Sequence, residues 1–296
     1  MKRPDAVRVF ALAGSAVAAG SLLFVAGFLV AGSLPVLRKE GWDFLLENRW
    51  SFRRESFGAA AMLYGTAVVS VVALLLAAPV GLGAALFSSE ICPPRFRVAL
   101  KTLVELLAGV PSVVYGLLGV LFVRTFLYDL FERLGLEPVS GDSLLTAGVL
   151  LAVMVLPTVA TLADDALQSV PARARDAARG LGLTRAETAI SVVLPQALPG
   201  LVGAFLLALG RALGETIAVF LVVGRAENRL PESLASLRPF LEAGQTLTSK
   251  LGGSETSIAV GDPLHTAALL GLGLVLMTTV LVLVGAADRL RSWVRR

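Results

Sequence analysis

Six stretches of this chain contain no Asp, Glu, Lys or Arg and are long enough to cross a lipid bilayer as α-helices. The hydrocarbon core of a bilayer is about 30 Å thick and requires about 20 helical residues. The stretches cover residues 9–37, 57–89, 106–123, 143–163, 188–210 and 263–287, and the fifth continues to 224 across two charges. Since 56% of the residues are hydrophobic and only 16% are charged, a soluble core would leave too little polar surface around it. The sequence predicts an all-α integral membrane protein with six transmembrane helices.

The first stretch follows Lys2, Arg3 and Arg8, as the hydrophobic part of a signal peptide would. That part of a signal peptide is about 7–15 residues long, whereas this stretch has 29 residues. We therefore expect an uncleaved anchor helix.

Lys and Arg residues between the spans predict the orientation, because short cytoplasmic segments carry the excess of positive charge. With the N-terminus inside, short inner segments hold 14 of these residues and longer outer segments hold 11. The dense clusters at 95–101, 173–185 and 289–296 all lie on the inner side in this arrangement. We expect both termini in the cytoplasm.

Three prolines, Pro79, Pro111 and Pro157, fall within the predicted spans, and Gly109 precedes one of them closely. A proline inside a helix removes a backbone hydrogen bond, and lipid cannot satisfy the carbonyl group that is left free. Each site is therefore interpreted either as a packed kink or as the lining of a water-filled path. We expect the segment 109–112 to interrupt the third span.

Several chemistries are excluded by what the sequence lacks. None of the four lysines follows a glycine, so the chain has no phosphate-binding loop of the Gly-Lys-Ser/Thr type. One Cys and one His argue against a metal site, and the net charge of +4 fits membrane-flanking residues better than nucleic-acid binding. Asp129 and Asp262 leave an intramembrane aspartic protease formally open, although both lie at predicted span ends. We expect no catalytic residues, no cofactor and no metal.

The inner loop between the fourth and fifth spans has the pattern of a helix, a turn and a second helix. Ser169 and Pro171 can begin the first helix, and glycines at 180 and 182 can end it. Thr184 and Glu187 have the spacing of a capping box for the second helix. On this pattern alone, an amphipathic connector at the membrane surface fits equally well.

The same loop resembles the permease subunits of bacterial ABC importers. Their motif, E-A-A-x-x-x-G-x9-I-x-L-P, is matched in spacing throughout, with Asp for Glu and Val for Ile. The matching residues are Asp176, Ala177, Ala178, Gly182, Leu194 and Pro195. The resemblance implies a coupling helix that docks on a separate ATPase subunit, which would bind the ATP.

The fifth span contains two charges, Arg211 and Glu215, that lie four residues apart. Each alone costs about 2.5–3.5 kcal/mol at the centre of a membrane helix, and this spacing places both on one helical face, where they can pair. Gly210 and Gly214 form a small-residue ridge beside them that permits close approach of another helix. The charges fit either a buried structural pair or an ion pathway.

A narrower resemblance favours the pathway. Segment 210–219, GRALGETIAV, is similar to the fifth-span motif of PstC permeases from phosphate-specific ABC importers, and segment 109–117, GVPSVVYGL, to their third span. The outer segment from Gly41 to Gly58 and the Thr246–Thr248 stretch ahead of His265 also fit PstC better than its partner, PstA. The resemblance implies that Arg211 and Glu215 act in phosphate passage.

It further implies an ABC importer permease fold and a division into an N-terminal anchor and extracytoplasmic segment, 1–57, and a five-helix permease core, 58–296, with a cytoplasmic coupling loop at 169–197. The expected partners are a sister permease in a heterodimer, two ATPase subunits, an extracytoplasmic phosphate-binding protein and membrane lipid, without nucleic acid. The expected location is the bacterial cytoplasmic membrane.

Four alternatives stay open at this stage. The chain could be a PstA-like sister subunit, or a permease for sulfate, molybdate or a polar organic solute. A secondary transporter with Glu215 as a proton relay is a different class, and it would have no use for an ATPase-docking loop. A structural membrane subunit, in which Arg211 and Glu215 only pair with each other, is the fourth.

Overall fold

A computed structural model describes residues 6–136, 140–230 and 238–294. Within these residues, six helical segments are long and apolar enough to cross a membrane, as the sequence predicts. They are Val7–Glu40, Ala60–Ile91, Ser112–Arg133, Leu144–Gln168, Arg185–Gly214 and Pro263–Ala286. Of the charges that predict the orientation, Lys2, Arg3, Arg295 and Arg296 lie outside the described residues.

The described part of the chain holds fifteen α-helices, π-helical turns at Phe87–Ile91, Gly119–Val123 and Ala189–Val193, a 3-10 turn at Phe52–Arg54 and one small hairpin. The helices of the first half are α1 (Ala6–Glu40), α2 (Asp43–Leu46), α3 (Ala60–Leu86), α4 (Pro94–Ala108), α5 (Ser112–Leu118), α6 (Arg124–Arg133) and α7 (Leu144–Gln168). Those of the second half are α8 (Ala172–Gly180), α9 (Arg185–Thr188), α10 (Leu194–Gly214), α11 (Ile217–Val222), α12 (Arg238–Leu241), α13 (Leu247–Leu251), α14 (Glu255–Ile258) and α15 (Pro263–Val294). Strands β1 (Trp50–Ser51) and β2 (Ser56–Phe57) pair antiparallel.

Helix α7 forms the centre of the bundle and packs against α3, α10 and α4. Small residues let α3 and α7 approach closely: a Cβ on Gly81 would lie 2.6 Å from Val159, and one on Gly148 would lie 2.6 Å from Val72. Lipid does not drive helices together as water does, so this close packing is a main source of association between spans. Pro79 and Pro157 lie inside α3 and α7, respectively.

The third span does not begin where the charge-free stretch 106–123 begins. The first residues of that stretch form the end of α4, which is a separate helix. The span itself runs from Ser112 to Arg133. Pro111 lacks an amide hydrogen and disfavours a helical conformation at Val110, so the chain breaks there and α5 starts after the proline. The predicted interruption is therefore the boundary between two helices.

The anchor helix packs against the last span. The Cβ of an alanine at Gly32 would meet Leu270, and one at Gly273 would meet Leu29 at 3.2 Å. Near the end of α1, Val36 and Phe44 are buried beside Gly271. The first half of α1 instead exposes large apolar side chains such as Phe10 and Leu12, as a lipid-facing helix does.

Candidate functional site

The inner loop has the predicted helix, turn and helix. Gly182 adopts φ +88 in the turn between α8 and α9, a conformation that favours glycine. The Thr184 side chain accepts a hydrogen bond from the Glu187 amide at 3.3 Å, and Glu187 accepts one from the Thr184 amide at 2.8 Å. These two bonds confirm the predicted capping box.

The predicted start of this loop needs a correction. Ser169 does not cap α8; it terminates α7, and its hydroxyl donates to the carbonyl oxygen of Ala166 at 2.7 Å. Helix α8 begins at Ala172, directly after Pro171, whose extended backbone provides the turn without a side-chain cap. Pro171 thus takes the N-cap position itself and lies just before the first turn, so the predicted start of this helix is too early for both Ser169 and Pro171.

The motif residues of the loop lie on two faces, one exposed and one buried. Asp176, Ala177 and Gly182 are exposed, whereas Ala178 is buried. Leu181, at the tip of the loop, is 83% exposed although it is a large apolar residue. The two last motif residues, Leu194 and Pro195, form the first turn of α10. The exposed face of the loop therefore presents the apolar side chain of Leu181 and the carboxylate of Asp176.

A buried ion pair, which could not be predicted from the sequence, fixes the buried face of α8. The Arg175 guanidinium donates to Glu90 Oε1 at 2.9 Å through Nη2 and at 3.1 Å through Nε. It also donates to the carbonyl oxygens of Leu167 at 2.8 Å and Val170. The side chains of Arg175 and Glu90 are 16% and 3% exposed. Arg175 thus joins α8 to the end of the second span and to the last turn of the fourth.

The fifth span is broken at the charged motif. Helix α10 ends at Gly214, Glu215 is extended, and α11 starts at Ile217. The Glu215 carboxylate turns forward and accepts a hydrogen bond from the Ala218 amide at 3.3 Å. Thr248, on α13, donates to the Glu215 carbonyl oxygen at 2.8 Å. The break is therefore held by one contact with the start of α11 and one with α13.

This break separates the two charges that the spacing places on one face. Arg211 stays in the last turn of α10, is exposed, and has no hydrogen-bond or ion-pair partner among the described residues. The expected pair with Glu215 is not formed, because the extended backbone at 215 redirects the carboxylate to the start of α11. Arg211 is consequently a cation in the last turn of the fifth span, unpaired among the described residues.

None of the described residues covers the face that carries Arg211. A Cβ at Gly210 or Gly214 would meet nothing within 4 Å, and Leu207 and Ile217 nearby are exposed. An uncovered face of small residues beside a charge is the kind of surface that another helix or a water-filled path covers in a membrane.

A second buried charge cluster lies beside the break, in the segments between the fifth and sixth spans. Lys250, on α13, is completely buried, and its Nζ lies 2.6 Å from Glu227 and 2.9 Å from Glu255. The other oxygen of Glu255 lies 2.7 Å from His265 Nε2 and 3.3 Å from Trp50 Nε1. The cluster joins the hairpin segment, α13 and the last span.

The electrostatics of Glu255 follow from these neighbours. Partial burial by itself raises the pKa of its carboxyl group, but the hydrogen bond and charge of Lys250, with the hydrogen bonds of His265 and Trp50, leave the pKa below its ordinary value. A carboxyl group whose pKa is lower in the folded state stabilises the fold above the unfolded pKa. That contribution disappears as the pH falls through the folded pKa.

We therefore expect the thermal stability of the purified complex to fall when the pH drops below the ordinary pKa of a glutamate, and to fall less in Glu255→Gln. The matched control is Glu55→Gln, because Glu55 also lies 2.9 Å from a lysine but is 62% exposed, and such exposed pairs contribute little. The measurement is the melting temperature as a function of pH. Equal acid sensitivity of wild type and Glu255→Gln would contradict this assignment.

Comparison with known proteins agrees with this architecture. Residues 77–296 match the family described as binding-protein-dependent transport system inner membrane component. The phosphate transport system permease protein PstC of Mesorhizobium japonicum is 38% identical over 277 residues, which cover 89% of this chain and 82% of that protein. PstC of Pasteurella multocida is 38% identical over 270 residues, covering 86% of this chain and 81% of that protein.

Solved structures show the same fold. A subunit of the inward-facing MetNI methionine ABC transporter superposes with a TM-score of 0.62 at 19% identity, covering 79% of this chain and 94% of that one. With the family match over most of the chain, this makes the chain a multi-pass component of the inner membrane, and a transport subunit instead of an enzyme. The chain belongs to the family of binding-protein-dependent transport system inner membrane components, the permease subunits of ABC importers.

Proposed function

We propose that this chain is a PstC-type permease subunit that carries inorganic phosphate through the inner membrane in an ATP-driven importer. The observation that carries the proposal is the agreement between relatives named phosphate transport permeases and an unpaired cation, Arg211, at a break in the fifth span. An oxyanion that leaves water loses its hydration, and a guanidinium group that donates two hydrogen bonds offsets part of that cost.

The proposed assembly is a heterodimer with a sister permease, two ATPase subunits on the cytoplasmic side and an extracytoplasmic phosphate-binding protein. The uncovered face of α10 supports a partner at that surface. The exposed tip of the inner loop, Asp176 to Gly182, supports an ATPase contact. ATP would bind to the ATPase subunits and not to this chain.

In the proposed mechanism, ATP-driven closure of the ATPases moves α8. Arg175 ties α8 to the inner ends of the second and fourth spans, so movement of the loop is passed to the bundle without a flexible link. The two permeases then rock around the path that Arg211 lines, as rigid-body rocking about a central site is common among transporters.

The coupling loop gives a direct test. Gly182→Val is expected to abolish phosphate uptake while the protein stays in the membrane, because a β-branched residue is strained at φ +88. No neighbouring atom lies within 4 Å of the added Cβ, so the strain is confined to the backbone of the turn. Gly180→Val is the control, since Gly180 is equally open but has no positive φ. Normal uptake by Gly182→Val would exclude this turn from coupling.

The proposed orientation, with both termini in the cytoplasm, is tested by labelling. In a Cys92→Ser background, we expect a membrane-impermeant thiol reagent added to intact cells to label a cysteine at Ser257 and to spare one at Ser191; both positions are exposed. The reverse pattern would place the inner loop outside and contradict docking to a cytoplasmic ATPase.

A further inference from the structure

A pocket rich in arginine lies behind the inner loop, separate from Arg211. Its charged lining comes from four elements: Arg97 on α4, Arg175 and Arg179 on α8, Arg185 on α9, and Glu90 at the end of the second span. The pocket has a volume of about 460 Å³. Four arginines face one carboxylate, so the lining has a net charge of +3. We refer to it as the arginine pocket.

Two of these four arginines, Arg179 and Arg185, have no partner among the described residues. Glu90 is fully engaged by Arg175. Arg179 and Arg185 make no hydrogen bond and no ion pair with the described residues. Arg97 forms an ion pair with Asp164, in which Nη2 lies 3.5 Å from Oδ1, although these two atoms do not form a hydrogen bond. The described residues thus gather four guanidinium groups that repel one another and supply counterions to only two of them.

A second observation points to the missing group. The hydroxyl oxygen of Ser89, which also lines the pocket, is buried without a hydrogen-bond partner. Arg97 Nη2 is also buried without a hydrogen bond, as is Asp164 Oδ1, the atom with which it forms an ion pair. The Arg97 guanidinium can only donate, the Ser89 hydroxyl can donate to an anion, and a buried polar group without a hydrogen bond is unfavourable. What the pocket lacks is therefore a negatively charged acceptor of hydrogen bonds.

We infer that the arginine pocket binds an oxyanion of phosphate type on the cytoplasmic face. Donors converge from several elements and directions, which suits the tetrahedral oxygens of a phosphate better than the two coplanar oxygens of a carboxylate. The anion has two possible sources, free inorganic phosphate in the cytoplasm or the phosphate of an anionic lipid headgroup. The cytoplasmic placement rests on the orientation in the proposed function.

A bound anion would join the inner loop to the membrane domain. It would lie between Ser89 and Arg97 on one side and Arg179 and Arg185, on the two helices of the loop, on the other. It would thus supplement the link that Arg175 and Glu90 already make. Occupancy of the pocket is expected to raise the melting temperature of the complex, because a ligand that binds only the folded state stabilises it.

The test uses the complete complex, with sister permease and ATPases, in nanodiscs of phosphatidylcholine. Equilibrium binding of radiolabelled orthophosphate is compared between wild type, the double variant Arg179→Gln/Arg185→Gln and the control Arg173→Gln, whose exposed arginine lies on α8 but not in the pocket. We expect the double variant to bind about tenfold more weakly or worse, since it loses two charged donors. Arg211→Gln should retain this binding, which separates the pocket from the transport path.

A parallel arm identifies the source of the anion. In nanodiscs that contain phosphatidylglycerol, native mass spectrometry counts the lipids that stay bound to wild type and to the double variant. A headgroup site predicts fewer retained phosphatidylglycerol molecules in the double variant and weak orthophosphate binding. A free-phosphate site predicts orthophosphate binding in both kinds of nanodisc.

Two results would overturn the inference. One is no difference between wild type and the double variant in either orthophosphate or lipid binding. The other is anion binding only when the ATPases are absent, which would assign the pocket to an acidic segment of that partner. Binding-protein-dependent phosphate uptake is measured on the same purified wild-type complex after reconstitution into liposomes, so that loss of the proposed function is distinguished from an empty arginine pocket.

Discussion

Arg175→Ala is expected to abolish almost all transport and to lower the stability of the complex. The change leaves the Glu90 carboxylate buried without a partner and frees the carbonyl oxygens of Leu167 and Val170. Breaking a buried ion pair by removing one partner costs about 3–5 kcal/mol. The measurements are substrate uptake per assembled complex and the melting temperature.

The matched control for this variant is Lys101→Ala. Lys101 and Asp165 also form an inner ion pair, with a separation of 3.6 Å, but their side chains are 42% and 59% exposed. Such exposed pairs contribute about 0–1 kcal/mol, so uptake should stay near the wild-type level. Wild-type uptake and stability in Arg175→Ala would show that α8 does not depend on the ion pair between Arg175 and Glu90.

Arg211→Gln is expected to assemble normally and to lose about tenfold or more of phosphate uptake, since each charge-assisted hydrogen bond to an anion contributes about 1.5–3 kcal/mol. Assembly should survive because Arg211 has no partner among the described residues whose charge would be left buried. Arg211→Lys keeps the positive charge but lacks the planar guanidinium group that can donate two parallel hydrogen bonds, so partial activity is expected.

The same experiment separates the roles of the two motif residues. Glu215→Gln keeps an oxygen that can accept from the Ala218 amide, so uptake should fall less than in Glu215→Ala. Because the two charges do not pair, the apolar double variant Arg211→Met/Glu215→Leu should remain inactive. Near-normal phosphate uptake by that double variant would exclude Arg211 from the path.

The architecture could be predicted largely from local pattern. Charge-free stretches indicate the six spans because lipid excludes charged and unsatisfied polar groups, and this constraint acts on every residue of a span. The capping box at Thr184 and the left-handed turn at Gly182 were also predictable, since each depends on a few adjacent residues.

The misplaced and missed features depend on contacts between distant residues. Arg175 and Glu90 lie 85 positions apart, and nothing local marks them as partners. The sequence does not distinguish Lys250 from an ordinary loop lysine, because only the fold brings Glu227 and Glu255 to its ammonium group. The break after Gly214 was missed because the sequence 210–219 fits a continuous helix equally well, and its contact with Thr248 comes from another element.

Phosphate uptake by reconstituted liposomes tests the central claim most directly. The complex of this chain, its sister permease and the ATPases is reconstituted with ATP on the ATPase side and the binding protein on the other. The account predicts uptake of radiolabelled phosphate that requires both ATP and the binding protein, and that excess sulfate or molybdate does not reduce. Transport of sulfate in place of phosphate, or phosphate uptake driven by a proton gradient without ATP, would contradict it.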